Sequence, residues 1–151
     1  MKIYRISAIK YAKSLQSSGV AARWNKKGQH VIYASETRSL ACLENIVHRS
    51  APELNGLYKV LIIDLPDDRK IEELTASQLP NGWNRPGNYR VCQETGSSWF
   101  TTGRTAILKV PSALIPQECN FVINTTHPDF NRIILEGTED FLFDPRIILR
   151  K

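Results

Sequence analysis

RWNKKGQHVIYASETRSLACLENIVH, residues 23–48, changes its periodicity halfway along, and that change sets the fold. Gln29–Ser35 (QHVIYAS) reads as a strand. From Ser35 or Thr37 the pattern becomes helical and runs to about Arg49, with Pro52 as its stop. Leu40, Leu43 and Val47 recur at i, i+3 and i+7, the stripe expected to face a core. Glu44 lies four residues after Leu40, on the flank of that stripe. A carboxylate at the edge of an apolar face is costly unless it is paired or hydrogen-bonded. It is therefore either a salt-bridged residue at the core boundary or an acid held for use.

The first part of the same stretch is basic and aromatic. Arg23 sits beside Trp24 and is followed by Lys26, Lys27 and Gly28, which lets backbone amides and a guanidinium approach phosphates. Tyr33 is on that strand, just before the turn into the helix. Surface packing for Arg23 and Trp24, and a core position for Tyr33, are the plainer alternatives. A cation, a ring and a half-sheltered carboxylate nonetheless fall within one strand-turn-helix.

Outward from this unit, Lys2–Ile6 reads as a strand, and Ser7 as the cap of a helix running to about Ser17 and stopped by Gly19. Tyr58–Leu65 is nearly all apolar, as in a strand buried on both faces. Residues 71–76 suggest a short helix and 80–88 (PNGWNRPGN) an exposed loop. A helix follows over about 88–101. Strands are expected at 105–110, 120–124 and 132–135, with a further one within 141–149. Strands scattered among two or three helices predict a single α+β domain spanning residues 1–151, with mixed β-sheets and flanking helices.

Composition excludes several classes. The chain has 151 residues, 42% hydrophobic and 23% charged, which matches one globular domain. The longest aliphatic run, Val60–Ile63, is far short of the ~20 residues a membrane span needs. The start lacks an apolar signal core, and Cys42, Cys92 and Cys119 are an odd set without a CxxC pair, so a reducing, cytoplasmic setting is expected. Residues 1–50 contain nine basic and two acidic side chains, against 11 and 13 in the remainder. That asymmetry predicts either an anionic partner at the N-terminal third or a solvated basic face.

Other constellations carry less. Ser112, His127 and Asp129 are the residue types of a serine triad, but no GxSxG elbow surrounds Ser112, and His127-Pro128-Asp129 reads as a turn cap. His30, His48 and His127 lack zinc spacing, so no metal is expected. Neither common glycine-rich phosphate cradle occurs. No nucleic-acid-reading motif is recognisable, and no nucleic-acid partner is expected.

The run from Arg23 to Glu44, the later GSSWF, the stretch VPSALIPQECNFVINTTHPDF and the opening YRI resemble a RES domain over essentially the whole chain. The family's eponymous arginine, glutamate and serine match Arg23, Glu44 and Ser112. The resemblance implies a fold like that of ADP-ribosyltransferases and a bacterial type II toxin that consumes NAD as substrate, with no separate cofactor. It further implies an Xre-type helix-turn-helix antitoxin and a homodimer within the complex. On this reading Glu44 stabilises the ribosyl cation, Arg23 holds the pyrophosphate or ribose, Tyr33 stacks on nicotinamide, and Ser112 hydrogen-bonds substrate. Arg5, Trp24 and Asn124 are expected at the cleft wall. Cleavage of the nicotinamide–ribose bond with transfer to water or phosphate is the leading expectation. The alternatives are transfer to a protein and, from another class, a nucleic-acid-binding or ribonuclease toxin using the basic third.

Overall fold

A computed structural model describes residues 1–149. In chain order the elements are β1 (Lys2–Ala8), β2 (Val31–Ser35), α1 (Arg38–His48), α2 (Ala51–Leu54), β3 (Tyr58–Asp64), β4 (Ile71–Glu73), α3 (Arg90–Thr102), β5 (Ile107–Pro111), β6 (Cys119–Asn124), β7 (Ile134–Phe141) and α4 (Pro145–Leu149). The strands form one mixed sheet in the order β4-β5-β6-β2-β1-β3-β7. β4 and β5 run parallel and the other neighbours antiparallel. The expected α+β class is what the chain adopts, with one sheet in place of several.

The sheet has a seam. β1 pairs with β3 along its whole length, from Lys2 opposite Asp64 to Ala8 opposite Tyr58. Between β1 and β2 the register holds at Tyr4 opposite Ser35 alone. Beyond that point the seam is bridged by a side chain: Arg5 donates from its guanidinium to the Tyr33 carbonyl at 3.0 Å.

Side-chain alternation divides the core. Ile3, Ile32, Leu61, Ile63, Ile107, Phe121 and Ile123 pack on one face. On the other, Val31, Leu108, Val110 and Val122 pack with Trp24, Trp83, Cys92 and Trp99. Ile6 and Val60 on that face pack with Ala41 of α1. α1 and α3 thus share one side of the sheet. Thr37 caps α1 by accepting from the Leu40 amide at 3.1 Å.

Several expectations are corrected. No helix spans Ser7–Ser17: Ser7 stays in β1 opposite Lys59, and a single 3-10 turn, Ile9–Tyr11, follows. Ala12 and Leu15 then lie against the opposite face of the sheet, so tertiary packing overrides the local helical spacing. Ile71–Glu73 is a strand because its backbone joins the β5 edge. Arg132 closes a 3-10 turn, and one long strand, β7, replaces the two expected after residue 131; α4 takes Pro145–Leu149. Pro52 stands in the first turn of α2 and does not itself end α1. In α1, Leu40 and Ala41 are buried, whereas Val47 is 52% exposed, so the core-facing stripe is rotated from the expected one. In the 80–88 turn region Trp83 is buried against Trp24, with ring centroids 6.2 Å apart.

Candidate active site

Three strands deliver one polar row to the α1/α3 side of the sheet. Ser35 stands opposite Asn120, and Asn120 opposite Val110. Just past the end of β5 comes Ser112, which is fully buried. α1 lowers Glu44 onto this row. Glu44 Oε1 accepts from Asn120 Nδ2 at 2.7 Å and from the Ser112 hydroxyl at 3.0 Å. The Ser35 hydroxyl donates to Asn120 Oδ1 at 2.6 Å, which orients the carboxamide with its NH₂ toward the acid. Ser112 Oγ also accepts the amides of Leu114 and Ile115, at 3.1 and 3.2 Å. With its acceptor capacity filled, its one proton is left to point at Glu44.

The second oxygen, Oε2, has His48 Nε2 at 3.5 Å, one helical turn on. Burial pushes the Glu44 carboxyl up, but hydrogen bonds from His48, Asn120 and Ser112 outweigh it and hold the acid below its ordinary value. The result is an ionised carboxylate with 21% of its side chain exposed. Oε1 is held by two donors and Oε2 faces His48 alone. Such a group stabilises developing positive charge without protonating anything.

Tyr33 lies two residues before Ser35 on the same face of β2, half-buried. Its hydroxyl donates to Asn25 Oδ1 at 2.6 Å and accepts the Trp24 amide at 3.1 Å. Burial raises the phenol's pKa, so it stays protonated. Asn25 in turn donates to the carbonyls of Val20, Lys26 and Gln29, gathering the 20–29 loop around itself.

Arg23 is engaged with another loop. Its guanidinium donates to the carbonyls of Trp83 at 2.7 Å and of Asn88 and Arg85 at 3.3 Å. It also stacks 4.4 Å from the centre of the Tyr89 ring. That loop reaches the serine turn, because Asn84 Nδ2 donates to the Ala113 carbonyl at 3.4 Å. Arg23, the 83–89 loop, Ala113, Ser112, Glu44, Asn120, Ser35, Tyr33 and Trp24 therefore form a closed circuit of contacts and chain links on one side of the sheet. The cation and the acid sit at different points of one ring.

The remaining expected residues are placed as follows. Arg5 bridges the seam beneath Tyr33; burial, with Arg49 nearby, lowers its pKa. Trp24 is core, 3% exposed. Asn124 is buried and its Oδ1 caps the following turn through Thr126. His127 is the turn cap expected of it: its ring contacts the Asp129 amide and the Gly103 carbonyl, and among the described residues it makes no hydrogen bond with Ser112. Asn120 and Ser35 escaped the sequence reading. The available signal was the alternation in Cys119–Asn124, where Asn120, Val122 and Asn124 share a face.

The basic N-terminal third is partly engaged by the chain's own polar side chains. Lys2 pairs with Glu136 at 3.0 Å and Arg38 with Glu139 at 2.6 Å, both on β7. Arg49 donates to Asn45 at 2.7 Å. Lys13, Lys26 and Lys27 have no carboxylate partner among the described residues.

The model of the RES domain family matches residues 2–144. A Sphingobium protein described as "Prs ADP-ribosylating toxin" is 39% identical over 128 residues, 83% of this chain and 80% of its own. A "Toxin Res" of Photorhabdus laumondii is 35% identical over 100% of this chain and 99% of its own. In three dimensions, a chain of the M. tuberculosis MbcT-MbcA toxin-antitoxin complex superposes with a TM-score of 0.79 at 18% identity, covering 99% of this chain and 87% of that one.

Proposed function

The chain belongs to the RES domain family, and from that premise we propose that it is a toxin whose site breaks the nicotinamide–ribose bond of NAD. Nicotinamide leaves as a neutral molecule, so no proton donor is required; the ribose is left with oxocarbenium character, as in glycoside cleavage. Glu44 meets that charge. Oε1 is held by Ser112 and Asn120, and Oε2 is the oxygen available to ribose hydroxyls or to the cation itself. Tyr33, its hydroxyl pinned by Asn25, offers a ring face to nicotinamide, and Arg5 supports the strand beneath it. Ser112 acts through its proton on Glu44. The observation that carries this reading is the ionised, half-sheltered Glu44 on the ring that also holds Tyr33 and Arg23.

Water or phosphate is the acceptor on the principal reading, giving ADP-ribose or its 1″-phosphate. Transfer to a protein is the second, favoured by the name of the 39% identical Sphingobium relative. The reading places the protein in the cytoplasm with NAD. It implies an Xre-type antitoxin that covers the site and a toxin dimer within their complex. Incubating antitoxin-free protein with NAD, with and without phosphate and with a cell extract, tests it. Nicotinamide release is expected, and the fate of the ADP-ribosyl group names the acceptor. No release under any of these conditions would refute the reading.

A further inference from the structure

Arg23 has the fork geometry that grips a pyrophosphate, yet three of its N–H groups serve the Trp83, Arg85 and Asn88 carbonyls and Tyr89 covers its plane. An arginine that converges on three carbonyls of one short segment holds that segment's shape. The segment is tightly turned, with Gly82 and Gly87 in left-handed backbone at φ 79° and 76°. Asn84 ties it to Ala113, the neighbour of Ser112. The next residue, Arg85, is exposed, and its side chain makes no ion pair or hydrogen bond among the described residues.

We infer that Arg85 is the cation that takes the substrate's phosphates, and that Arg23 is a positioning residue acting through the 83–89 loop. The inference rests on the NAD reading above. An unpartnered guanidinium one residue from the contact to the Ser112 turn, on a loop clamped from beneath, is free for bidentate phosphate binding. Lys26 and Lys27 lie on the other loop, but an ammonium lacks that fork.

Binding measured by calorimetry on the intact protein carrying Glu44→Gln, slowed in turnover so that NAD stays intact during the titration, separates the possibilities. The probes are NAD and nicotinamide riboside, which has the reacting half without phosphate. Arg85→Ala should weaken NAD at least tenfold and leave the riboside unchanged. Arg85→Lys should recover part of the loss. Arg23→Ala should weaken both ligands, because the loop loses its clamp. Unchanged NAD affinity in Arg85→Ala overturns the inference, as does a phosphate-selective loss in Arg23→Ala or in Lys26→Ala/Lys27→Ala alone. If the Glu44→Gln parent binds neither ligand and the wild type releases no nicotinamide, the NAD reading itself fails. The Arg85 side chain makes no ion pair or hydrogen bond among the described residues, so Arg85→Ala should melt within a few degrees of the parent, which thermal melts check.

Discussion

Asn120 donates to Glu44 across 76 residues of sequence, at 2.7 Å. The contact exists because Ser35, three residues before the start of α1, is the cross-strand neighbour of Asn120. β2 therefore does two things at once. It sets where α1 begins and it places the amide that receives the α1 carboxylate. The Ser35 hydroxyl completes the arrangement by choosing which way round the carboxamide sits.

Glu44→Gln keeps the shape and removes the charge. Nicotinamide release should fall by ~10²-fold or more, the usual cost of one electrostatic stabiliser. Steady-state assays on purified protein check this, and turnover near the wild-type level would remove Glu44 from the mechanism.

Ser112→Ala and Asn120→Ala each take one donor from Glu44 Oε1. A hydrogen bond to a charged group is worth ~1.5–3 kcal/mol, so turnover should drop roughly tenfold to a hundredfold in either variant. Ser112→Ala should also lower thermal stability more, because it strips the Leu114 and Ile115 amides of their acceptor. Parallel kinetics and thermal melts compare the two.

The pH dependence follows from the lowered Glu44 value. A carboxyl depressed in the folded state stabilises it fully above the ordinary glutamate pKa of about 4.3, and that contribution is lost as pH falls through the lower folded value. The melting-temperature gap between wild type and Glu44→Gln should be constant near neutrality and close only in that acid window. His48→Ala should move the acid limb of nicotinamide release upward, since His48 is the first of the groups holding the acid down.

Gly96→Ala tests the packing behind the site. A Cβ at Gly96 would stand 1.8 Å from the Trp24 carbonyl oxygen and 2.7 Å from its carbon, and backbone atoms cannot swing aside. Overpacking of this kind costs ~1–3 kcal/mol or more, so the melting temperature should fall by roughly 5–10 °C. Turnover should suffer as well, because Trp24 carries the amide that meets Tyr33.

Removing the α1 cap with Thr37→Ala should cost ~1 kcal/mol of stability. The loss should appear as earlier hydrogen exchange of the Leu40 amide, with the rest of the sheet unaffected.

The elements legible in the chain were those whose burial repeats over many residues: β1, β2, α1, β3, α3, β5 and β6 lie within a few positions of where periodicity puts them. The misread segments are short or turn with their surroundings. The segment after Ser7 was expected to be helical but makes one 3-10 turn at Ile9–Tyr11 and then lays Ala12 and Leu15 on the sheet, and Ile71–Glu73 is a strand only because β5 offers an edge. The same limit applies to the site. Arg23, Tyr33, Glu44 and Ser112 stood out by residue type and family likeness. That Asn120 and not Asn124 meets the acid, and that Arg23 clamps a loop, depended on which strands became neighbours.

The sequence by itself determined the α+β class, the strand-to-helix switch at residues 35–38 and the presence of a carboxylate on the edge of an apolar helix face. Those properties are written in side-chain periods of two and 3.6, which act over a few residues. Only the tertiary structure decided which oxygen of that carboxylate is tied by residues distant in sequence. Strand order brings Ser112 and Asn120 to Glu44 from the far half of the chain, and long-range pairing leaves no local pattern to read.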